Sequence, residues 1–540
     1  MRRREFLAAG AAACAAVACG RKAAPLPPGT LSGTAHRVGH LLRDGTIDAG
    51  PAELRKRAVV IVGGGIAGLS AAWRLRLAGF DDFEILELED AAGGNARWGE
   101  NPVSRYPLGA HYLPLPTRES RAVRLLLAEL GVLRGDPDAP APAYDERALC
   151  FAPQERLYRD GLWREGFEPL AGASARDRDE WRRFHDRMAA FKAARGADGR
   201  RAFAIPMALS SRDPRFLALD RLSMRDWLAG EGYAAEAVHW LANYACRDDF
   251  GCDYREVSAW AGIHYFACRD AQARDADPDA VLTWPEGNGW IVRGLLARVA
   301  PPLTAGALVH RVVEGEREVA LGVHLARERR ALEIRAEHVV WAAQLRFAAR
   351  ALAGADAGLV AALAEFDHAP WLVANLTLAE PPWERHGAPL AWDNVLYESP
   401  GLGYVVATHQ DLASRRGPTV ITYYEPLTGT PTAAARERLL ATSREAWAAR
   451  VLADLGRPHP ELARITERVD VFTNGHAMVR PRTGFVWGDA RERVLRHAGR
   501  VHFAHSDVSG FSLFEEAQYR GVAAAERVLA RLAIRDGTVL

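Results

Sequence analysis

The sequence predicts an α/β protein whose sheet opens with a strand–helix–strand unit, and three observations predict it. The run Ala58–Val62 is apolar throughout, which is typical of a parallel strand buried on both faces. A helical pattern over 66–78 follows and ends at Gly79, a residue type favoured just after helices. A second strand is predicted over Phe83–Leu88. Two strands joined by a helix predict neighbouring parallel strands.

Later segments extend this prediction along the chain. Residues 116–284 are mostly helical by periodicity, and one helix face there carries Trp181, Phe184, Met188 and Phe191. Strand patterns return further on, several of them alternating as in an antiparallel sheet, over 307–324, 333–343, 371–379, 394–398, 403–408 and 419–424. A last strand at 501–507 leads into a final helix.

Length and composition set the scale of the protein. The chain has 540 residues, and a prior of about 150 residues per domain indicates two to four lobes. Hydrophobic residues make up 49% and charged residues 25%, which is ordinary for a globular protein. The net charge of +1 gives no reason to expect nucleic acid as a partner.

Residues 1–19 read as a targeting segment. The stretch Arg3–Leu7 resembles the twin-arginine export signal, and the apolar run Phe6–Ala18 is too short to span a bilayer. A plain secretory signal or an anchor helix is the alternative. Residues 16–19 resemble a lipobox, which would place a lipid on Cys19 and anchor the protein to the membrane. We therefore expect contact with the export machinery and a periplasmic location, with a cofactor bound before export.

A glycine motif lies between the first strand and the first helix. Gly63, Gly65 and Gly68 form GxGxxG, in which the first glycine permits the turn, the second lets a pyrophosphate approach and the third lets the helix pack on the strand. Glu87, at the end of the second strand, lies where a carboxylate can accept from a ribose hydroxyl. The motif predicts a dinucleotide site; the alternative is a glycine-rich structural turn.

The residues after Glu87 decide between NAD and FAD. Gly93 and Gly94 follow it in a stretch that resembles the FAD-binding motif of the flavin-containing amine oxidase and phytoene desaturase superfamily. That family usually has an arginine where Asn95 stands, so Arg97 is the candidate to meet the cofactor phosphate. The resemblance implies a resident FAD rather than a visiting NAD.

Further segments resemble the same family in the same order along the chain. One is the turn before the flavin, with Gly109 and Ala110, and another is the segment 284–290 with the helix that follows it. The others are the strand whose Val309 would hold the adenine, the strand 338–343, and the C-terminal motif with Asp507, Glu516 and Ala517. The following helix would aim its N-terminus at the flavin.

The resemblance implies a divided architecture. We expect a Rossmann-like FAD-binding domain of the glutathione-reductase type, split in sequence, with an inserted α+β substrate domain. The expected boundaries are a signal at 1–19, a linker at 20–56, the FAD-binding domain at 57–115, 285–350 and 471–535, and the substrate domain at 116–284 and 351–470.

The flavin would carry the chemistry, so the protein would supply orientation and a dry cavity. His111, Trp290 and Phe514 adjoin cofactor motifs and are the candidate catalytic residues. Many amine oxidases place a lysine near the flavin, but Lys192 alone lies outside the leader and linker here, on a charged helix face. Other candidate wall residues are Tyr112, Trp284, Tyr404, Tyr423, Tyr424 and Phe511.

Several residues leave two interpretations open. His476 would line the floor of the site, whereas Arg480 and Arg482 would either bind a carboxylate or fix a loop. No cysteines form a CxxC pair, so a metal is not expected; Cys246, Cys252 and Cys268 would form a disulfide or stay as buried thiols.

The sequence therefore predicts an exported FAD-dependent oxidoreductase acting on a small molecule, with an amine as the leading substrate. A desaturase-like or isomerase-like flavoprotein with an apolar substrate is the second hypothesis, and a non-catalytic flavin-binding module is the third. Carboxylates and paired aromatic rings in the pocket would favour an amine, whereas aliphatic walls would favour a lipid or polyene.

Overall fold

A computed structural model describes residues 25–47, 53–385, 387–412 and 417–540. The predicted signal at 1–19, with its twin-arginine motif and Cys19, lies outside the described residues. Within them, no helix has the length and apolarity needed to cross a membrane.

The α-helices, in chain order, are α1 (His36–Asp44), α2 (Ile66–Leu77), α3 (Arg121–Glu129), α4 (Ala175–Ala193), α5 (Pro214–Leu217), α6 (Met224–Gly230), α7 (Glu236–Phe250), α8 (Ala259–Ala267), α9 (Gly289–Val299), α10 (Leu345–Ala351), α11 (Ala357–Ala364), α12 (Thr432–Ala441), α13 (Arg444–Leu455), α14 (Leu462–Ile465), α15 (Asp489–Leu495) and α16 (Phe514–Arg531).

The strands, in chain order, are β1 (Leu31–Gly33), β2 (Glu53–Val62), β3 (Phe83–Leu86), β4 (Trp98–Glu100), β5 (Arg105–Pro107), β6 (Tyr112–Pro114), β7 (Leu133–Arg134), β8 (Ala143–Tyr144), β9 (Glu155–Arg159), β10 (Leu162–Glu165), β11 (Val281–Thr283), β12 (Leu303–Thr304), β13 (Ala307–Glu314), β14 (Val319–Leu325), β15 (Arg330–Trp341), β16 (His368–Leu378), β17 (Asp393–Leu396), β18 (Gly403–Val406), β19 (Thr419–Pro426), β20 (Thr466–Val479) and β21 (Val501–Phe503).

The first sheet confirms the predicted α/β class. Its strands β12, β3, β2, β15 and β21 are parallel neighbours, and β13 and β14 extend it as an antiparallel meander beside the first half of β15. Helices α2 and α16 cover one face of this sheet. They lie very close together, as shown by Gly521 on α16, where a Cβ would come within 2.1 Å of the carbonyl oxygen of Ala67 on α2. The strand–helix–strand unit read from the sequence therefore forms the centre of this lobe.

The second sheet has eight strands in the order β1-β20-β16-β19-β18-β17-β9-β10. Strand β16 is buried along its whole length. Trp371 and Val373 face the helices α4 and α6–α8, whereas Leu372 and Leu376 face α12 and α13. This lobe is an α+β unit, with a sheet covered by helices on both faces.

Two predicted boundaries differ from the structure. Part of the expected linker is regular structure, because β1 pairs with β20, α1 follows it, and β2 already begins at Glu53. The first half of β2 is polar and is held by pairing with β15 rather than by burial. It therefore has no apolar run from which a strand could be predicted. Strand β20 crosses the boundary predicted at residue 471, since all of it belongs to the second sheet.

Candidate cofactor and substrate site

The glycine turn between β2 and α2 has no room for larger residues. Gly63 has φ of +102°, and a Cβ there would lie 2.9 Å from the backbone of Ala342. A Cβ at Gly68 would lie 1.9 Å from the carbonyl oxygen of Gly63. Gly65 precedes the first turn of α2, and no side chain caps that helix. The N-terminal N–H groups of α2, with the positive end of its dipole, are suited to an anion such as a pyrophosphate.

Glu87 lies directly against this turn. Its carboxylate is buried and accepts hydrogen bonds from the backbone N–H of Gly64 at 2.7 Å and of Glu89 at 2.8 Å. Burial raises the pKa of Glu87, and these backbone donors oppose the shift. Each oxygen keeps acceptor capacity for a further donor, as a ribose-binding role requires.

A second glycine turn packs on the first. The backbone N–H of Gly93 donates to the carbonyl of Gly64 at 2.8 Å, and a Cβ at Gly94 would lie 3.2 Å from the Cα of Gly65. Arg97 forms an ion pair with Glu89 at 2.9 Å, so its guanidinium stays at this turn.

Asn95 connects the two lobes. Its side-chain amide donates to the carbonyl of Ala477 at 2.6 Å and accepts from Asn474 at 3.2 Å, both on β20. Its own carbonyl accepts from the backbone N–H of Ala110 at 2.8 Å, and a Cβ at Gly109 would lie 2.3 Å from that oxygen. Asn95 is thus a structural tether in the position where the resembling family has arginine.

The C-terminal motif is built around Asp507. This buried carboxylate accepts from the backbone N–H of Leu345, and it lies 3.0 Å from His368 Nε2 and 2.9 Å from His505 Nδ1. Burial alone would raise its pKa, but the two imidazoles hold the pKa of Asp507 well below its usual range. Asp507 therefore holds α10 and His505 of the first lobe together with His368, the first residue of β16 in the second sheet.

The remaining predicted cofactor residues are Val309, Glu516 and Ala517. Val309 is buried on β13 opposite Val323. Glu516 accepts from the backbone N–H of Met207, and burial raises its pKa. The backbone N–H of Ala517 donates within the first turn of α16. Val309, Glu516 and Ala517 are not in the lining of the cavity described next.

A cavity of about 160 Å³ lies between the lobes, beside the second glycine turn. The turn before β6, the N-terminus of α16 and strands of the second sheet enclose it. Of the predicted site residues, those that line it are Gly94, Gly109, Ala110, His111 and Phe514. Of the predicted wall residues, Tyr112, Tyr404 and Tyr424 line it.

Trp290 does not line this cavity, which does not support the catalytic role predicted for it. Its ring stacks on Trp284, with centroids 4.7 Å apart and planes at 4°. Asn288, two positions earlier, lines the cavity instead. Residues two apart at a helix start project in different directions, which is why Asn288 and not Trp290 reaches the cavity.

His111 forms one aromatic wall. Its ring stacks on Tyr424 with centroids 4.4 Å apart, and the Tyr424 hydroxyl donates to the carbonyl of Gly109 at 3.0 Å. Burial lowers the pKa of His111 to about 4, so the imidazole is neutral at neutral pH. The ring centroids of Tyr112 and Trp392 lie 5.0 Å and 5.7 Å from that of His111.

The cavity also holds a group of carboxylates that the sequence did not reveal. Among the described residues, its lining includes four carboxylates and one guanidinium, namely Asp248, Asp249, Asp393, Glu515 and Arg269. Asp248 and Asp249 end α7, Asp393 begins β17 and Glu515 belongs to the first turn of α16. Adjacent aspartates at 248–249 were the only local signal, because the grouping comes from tertiary packing.

The carboxylates differ in how far a nearby positive charge balances their own. Arg269 lies 3.4 Å from Asp249, whereas Asp248 accepts from the Tyr112 hydroxyl at 3.4 Å. Burial and the nearby Asp249 raise the pKa of Asp248 to about 7. Burial, together with Asp248 and Glu155, raises the pKa of Asp393 well above its usual range. The cavity therefore favours a positively charged occupant.

Two further residues of the lining have an acceptor atom that receives no hydrogen bond from the described residues. Asn288 and Glu515 are each 2% exposed. The Asn288 Oδ1 and Glu515 Oε1 atoms are buried and have no hydrogen-bond partner among the described residues. Buried acceptors are normally satisfied, so both atoms fit a ligand that brings N–H donors.

Other predicted residues lie elsewhere. Lys192 is exposed on α4, and no lysine of the described chain lines the cavity. Arg480 pairs with Asp367 and Glu256, each at 2.7 Å, and Arg482 donates to a backbone carbonyl, so both fix a loop. The half-buried His476 lies outside the cavity lining. The described cysteines, Cys150, Cys246, Cys252 and Cys268, are free thiols.

These glycine turns and the parallel sheet define a dinucleotide-binding class of protein, and a family comparison agrees. Residues 61–130 match the NAD(P)-binding Rossmann-like domain. No curated protein sequence matches the chain.

Solved structures share the fold over nearly its whole length. Putrescine oxidase bound to putrescine has a TM-score of 0.67 and 16% identity, over 89% of this chain and 100% of that chain. Cyclohexylamine oxidase from Brevibacterium oxydans IH-35A has a TM-score of 0.64 and 17% identity, over 88% and 99%. A CLA-producing fatty acid isomerase from P. acnes has a TM-score of 0.59 and 16% identity, over 88% and 98%. The predicted resemblance to the flavin-containing amine oxidase superfamily is confirmed as a similarity of fold.

Proposed function

We propose that the protein binds FAD and oxidises a cationic amine. The observation that carries the substrate class is the group of four carboxylates that line an aromatic cavity between the lobes. An ammonium is costly to bury without a countercharge, and these carboxylates supply one. When bound, the flavin supplies a hydride acceptor for the carbon next to the amine nitrogen.

The residues of the first lobe fit FAD. The uncapped N-terminus of α2 offers donors to a pyrophosphate, and Glu87 beside Gly64 offers an acceptor to a ribose. Gly63 and Gly68 exclude a Cβ because the backbone packs tightly at the turn, and Gly65 at the start of the helix leaves space for a pyrophosphate to approach. Glutamate at this position suits an unphosphorylated ribose.

The cavity residues have separate tasks. His111 and Tyr424 provide a flat apolar wall that positions the substrate carbon and excludes water. Asp248 and Asp393 face the amine nitrogen. Because His111 is neutral, it adds no positive charge that would repel the ammonium.

The competing functions predict a different cavity. An apolar substrate, such as that of the fatty acid isomerase with this fold, would leave several carboxylates buried without a counterion, and the charge of the lining therefore favours the amine. A non-catalytic flavin-binding module would bind flavin that no donor reduces.

We further propose, from residues 1–19, export to the periplasm by the twin-arginine route and membrane attachment through Cys19.

The test is anaerobic mixing of the purified full chain with n-butylamine, benzylamine, putrescine and linoleic acid. The proposal expects a yellow protein whose released cofactor has the mass of FAD, and whose flavin is bleached by at least one amine. Bleaching by none of the amines would contradict the amine as substrate, and a protein without flavin would contradict the cofactor.

A further inference from the structure

We propose that Asp248 and Asp393 together receive the substrate ammonium and take one of its protons. This inference rests on the proposed function, since it specifies how the cavity prepares an amine for oxidation. A protonated amine has no free electron pair on nitrogen, and loss of a hydride from the neighbouring carbon needs that pair. A proton acceptor in the cavity is therefore a chemical requirement at neutral pH.

The geometry singles out these two carboxylates. Asp248 and Asp393 come from different elements, the C-terminus of α7 and the start of β17, and both line the same cavity. Both retain partial exposure, whereas Asp249 and Glu515 are buried. Asp249 is paired with Arg269 at 3.4 Å. Asp248 and Asp393 are therefore the two partly exposed carboxylates of the cavity lining.

Buried acceptors strengthen the case for a donor-rich ligand. Asn288 Oδ1 and Glu515 Oε1 are unpartnered among the described residues, and both side chains belong to the same lining. An ammonium carries three N–H donors in tetrahedral directions. It can satisfy a carboxylate and further acceptors at the same time, which neither a lipid chain nor an alcohol can do.

The proton balance of the step is simple. One N–H bond of the ammonium breaks, one O–H bond forms on a carboxylate oxygen, and the nitrogen keeps the electron pair. The product is a neutral amine beside a neutral acid. No charge separation is then left in the cavity.

The electrostatic surroundings suit this exchange. Because the pKa of Asp248 is raised to about 7, this carboxyl can exchange a proton near neutral pH, and burial with the neighbouring acids raises the pKa of Asp393 well above its usual range. The titratable and charged groups that face Asp248 and Asp393 are Asp249, Arg247, Arg269, Tyr112, Tyr244, Tyr265, Glu155, Cys150, Tyr404 and Tyr424. The two arginines favour the ionised carboxylates, whereas the acidic groups and burial favour the protonated ones.

The first experiment measures binding without chemistry. tert-Butylammonium has no hydrogen on the carbon next to nitrogen, so it cannot be oxidised, and its binding to the flavin-loaded full chain can be followed by calorimetry. We expect Asp248→Asn and Asp393→Asn to weaken its binding by about tenfold or more. Asp253→Asn is the matched control, because Asp253 lies near the same helix end, pairs with Arg255 at 2.7 Å and is outside the cavity lining. Binding unchanged in both cavity variants would overturn the inference.

The second experiment measures the proton transfer. The rate of flavin reduction by the fastest amine of the panel is recorded against pH in each variant that retains wild-type flavin content. We expect Asp248→Asn or Asp393→Asn to reduce the rate at pH 7 by about 100-fold. The rate should recover as the pH approaches about 10, where alkylamines lose their proton in solution. A uniform loss at every pH, or no loss at pH 7, would refute the proton-accepting role.

The two failures are distinguishable. If no amine reduces the wild-type flavin, the proposed function fails. If an amine reduces the wild type and both asparagine variants equally at pH 7, the proposed function stands and only the role of this pair fails. Asparagine is close to aspartate in shape and removes a buried charge, so both variants should fold.

Discussion

The carboxylate of Glu87 accepts a hydrogen bond from the backbone N–H of Gly64 at 2.7 Å, which joins the end of β3 to the glycine turn. This contact places the acceptor for a ribose and the donors for a pyrophosphate on adjoining loops. The proposed cofactor site is therefore formed largely by local chain geometry within the first lobe.

Replacement of Glu87 by alanine should empty the protein of flavin. The change removes the acceptor beside Gly64 and leaves the N–H groups of Gly64 and Glu89 without their partner. The measurement is flavin absorbance per protein after purification. Glu100→Ala is the control, since Glu100 is exposed. Full flavin occupancy in the Glu87 variant would rule out the assignment of this residue.

Gly68→Ala should prevent formation of the glycine turn. Its Cβ would lie 1.9 Å from the carbonyl oxygen of Gly63, a contact that only backbone movement can relieve. We expect loss of flavin and a lower unfolding temperature. Gly230→Ala is the matched control, because a Cβ there meets nothing within 4 Å and Gly230 lies in a helix, where alanine should stabilise by about 0.5–1 kcal/mol. Equal behaviour of the two variants would argue against the tight turn.

The residues of this site that lie close together in the sequence could be predicted, whereas those that lie far apart could not. Gly63, Gly68 and Glu87 act through short-range geometry, so their spacing predicted the turn. Asp248 and Asp393 are far apart in sequence and meet only through packing of α7 against the second sheet, so no spacing could reveal them. Arg97 was expected to meet the phosphate because Asn95 replaces the family's arginine, and no role was predicted for Asn95, which the structure shows as a tether to β20.

The fold, like the site, could be predicted only in part. The apolar second half of β2 was predicted, whereas its polar first half was not, because pairing with β15 rather than burial holds it. Strand β1 was hidden for a related reason. Its three residues have no apolar pattern and gain order from the free edge of β20.

Asp393→Asn should stabilise the protein in a pH-dependent way. The pKa of Asp393 is higher in the folded than in the unfolded chain, so the folded state binds more protons between those two values. Its ionisation therefore destabilises the fold as the pH rises, and this cost is absent below the unfolded pKa. We expect the variant to raise the Tm at pH 8 by about 2 °C or more and to leave it nearly unchanged at pH 3.5. A larger gain at acid pH would show that the sign is wrong.

Gly29→Ala should detach the segment before α1 from the second sheet. A Cβ at Gly29 would lie 1.8 Å from the carbonyl oxygen of Val469, next to the hydrogen bonds that Thr30 makes with Asp470. We expect faster hydrogen exchange at Val471, whose N–H donates to the carbonyl of Thr30 at 2.8 Å. Gly45→Ala tests strain alone, since Gly45 has φ of +65° and a Cβ there meets nothing. Unchanged exchange at Val471 in the Gly29 variant would contradict the close packing.

The measurement that tests the central claim most directly compares benzylamine with benzyl alcohol, which differ only in the group that the carboxylates would bind. Each is mixed anaerobically with the purified flavin-loaded chain at pH 8, and flavin absorbance is followed. The account predicts that benzylamine bleaches the flavin and that benzyl alcohol does not. Equal bleaching by both, or bleaching by benzyl alcohol alone, would contradict it.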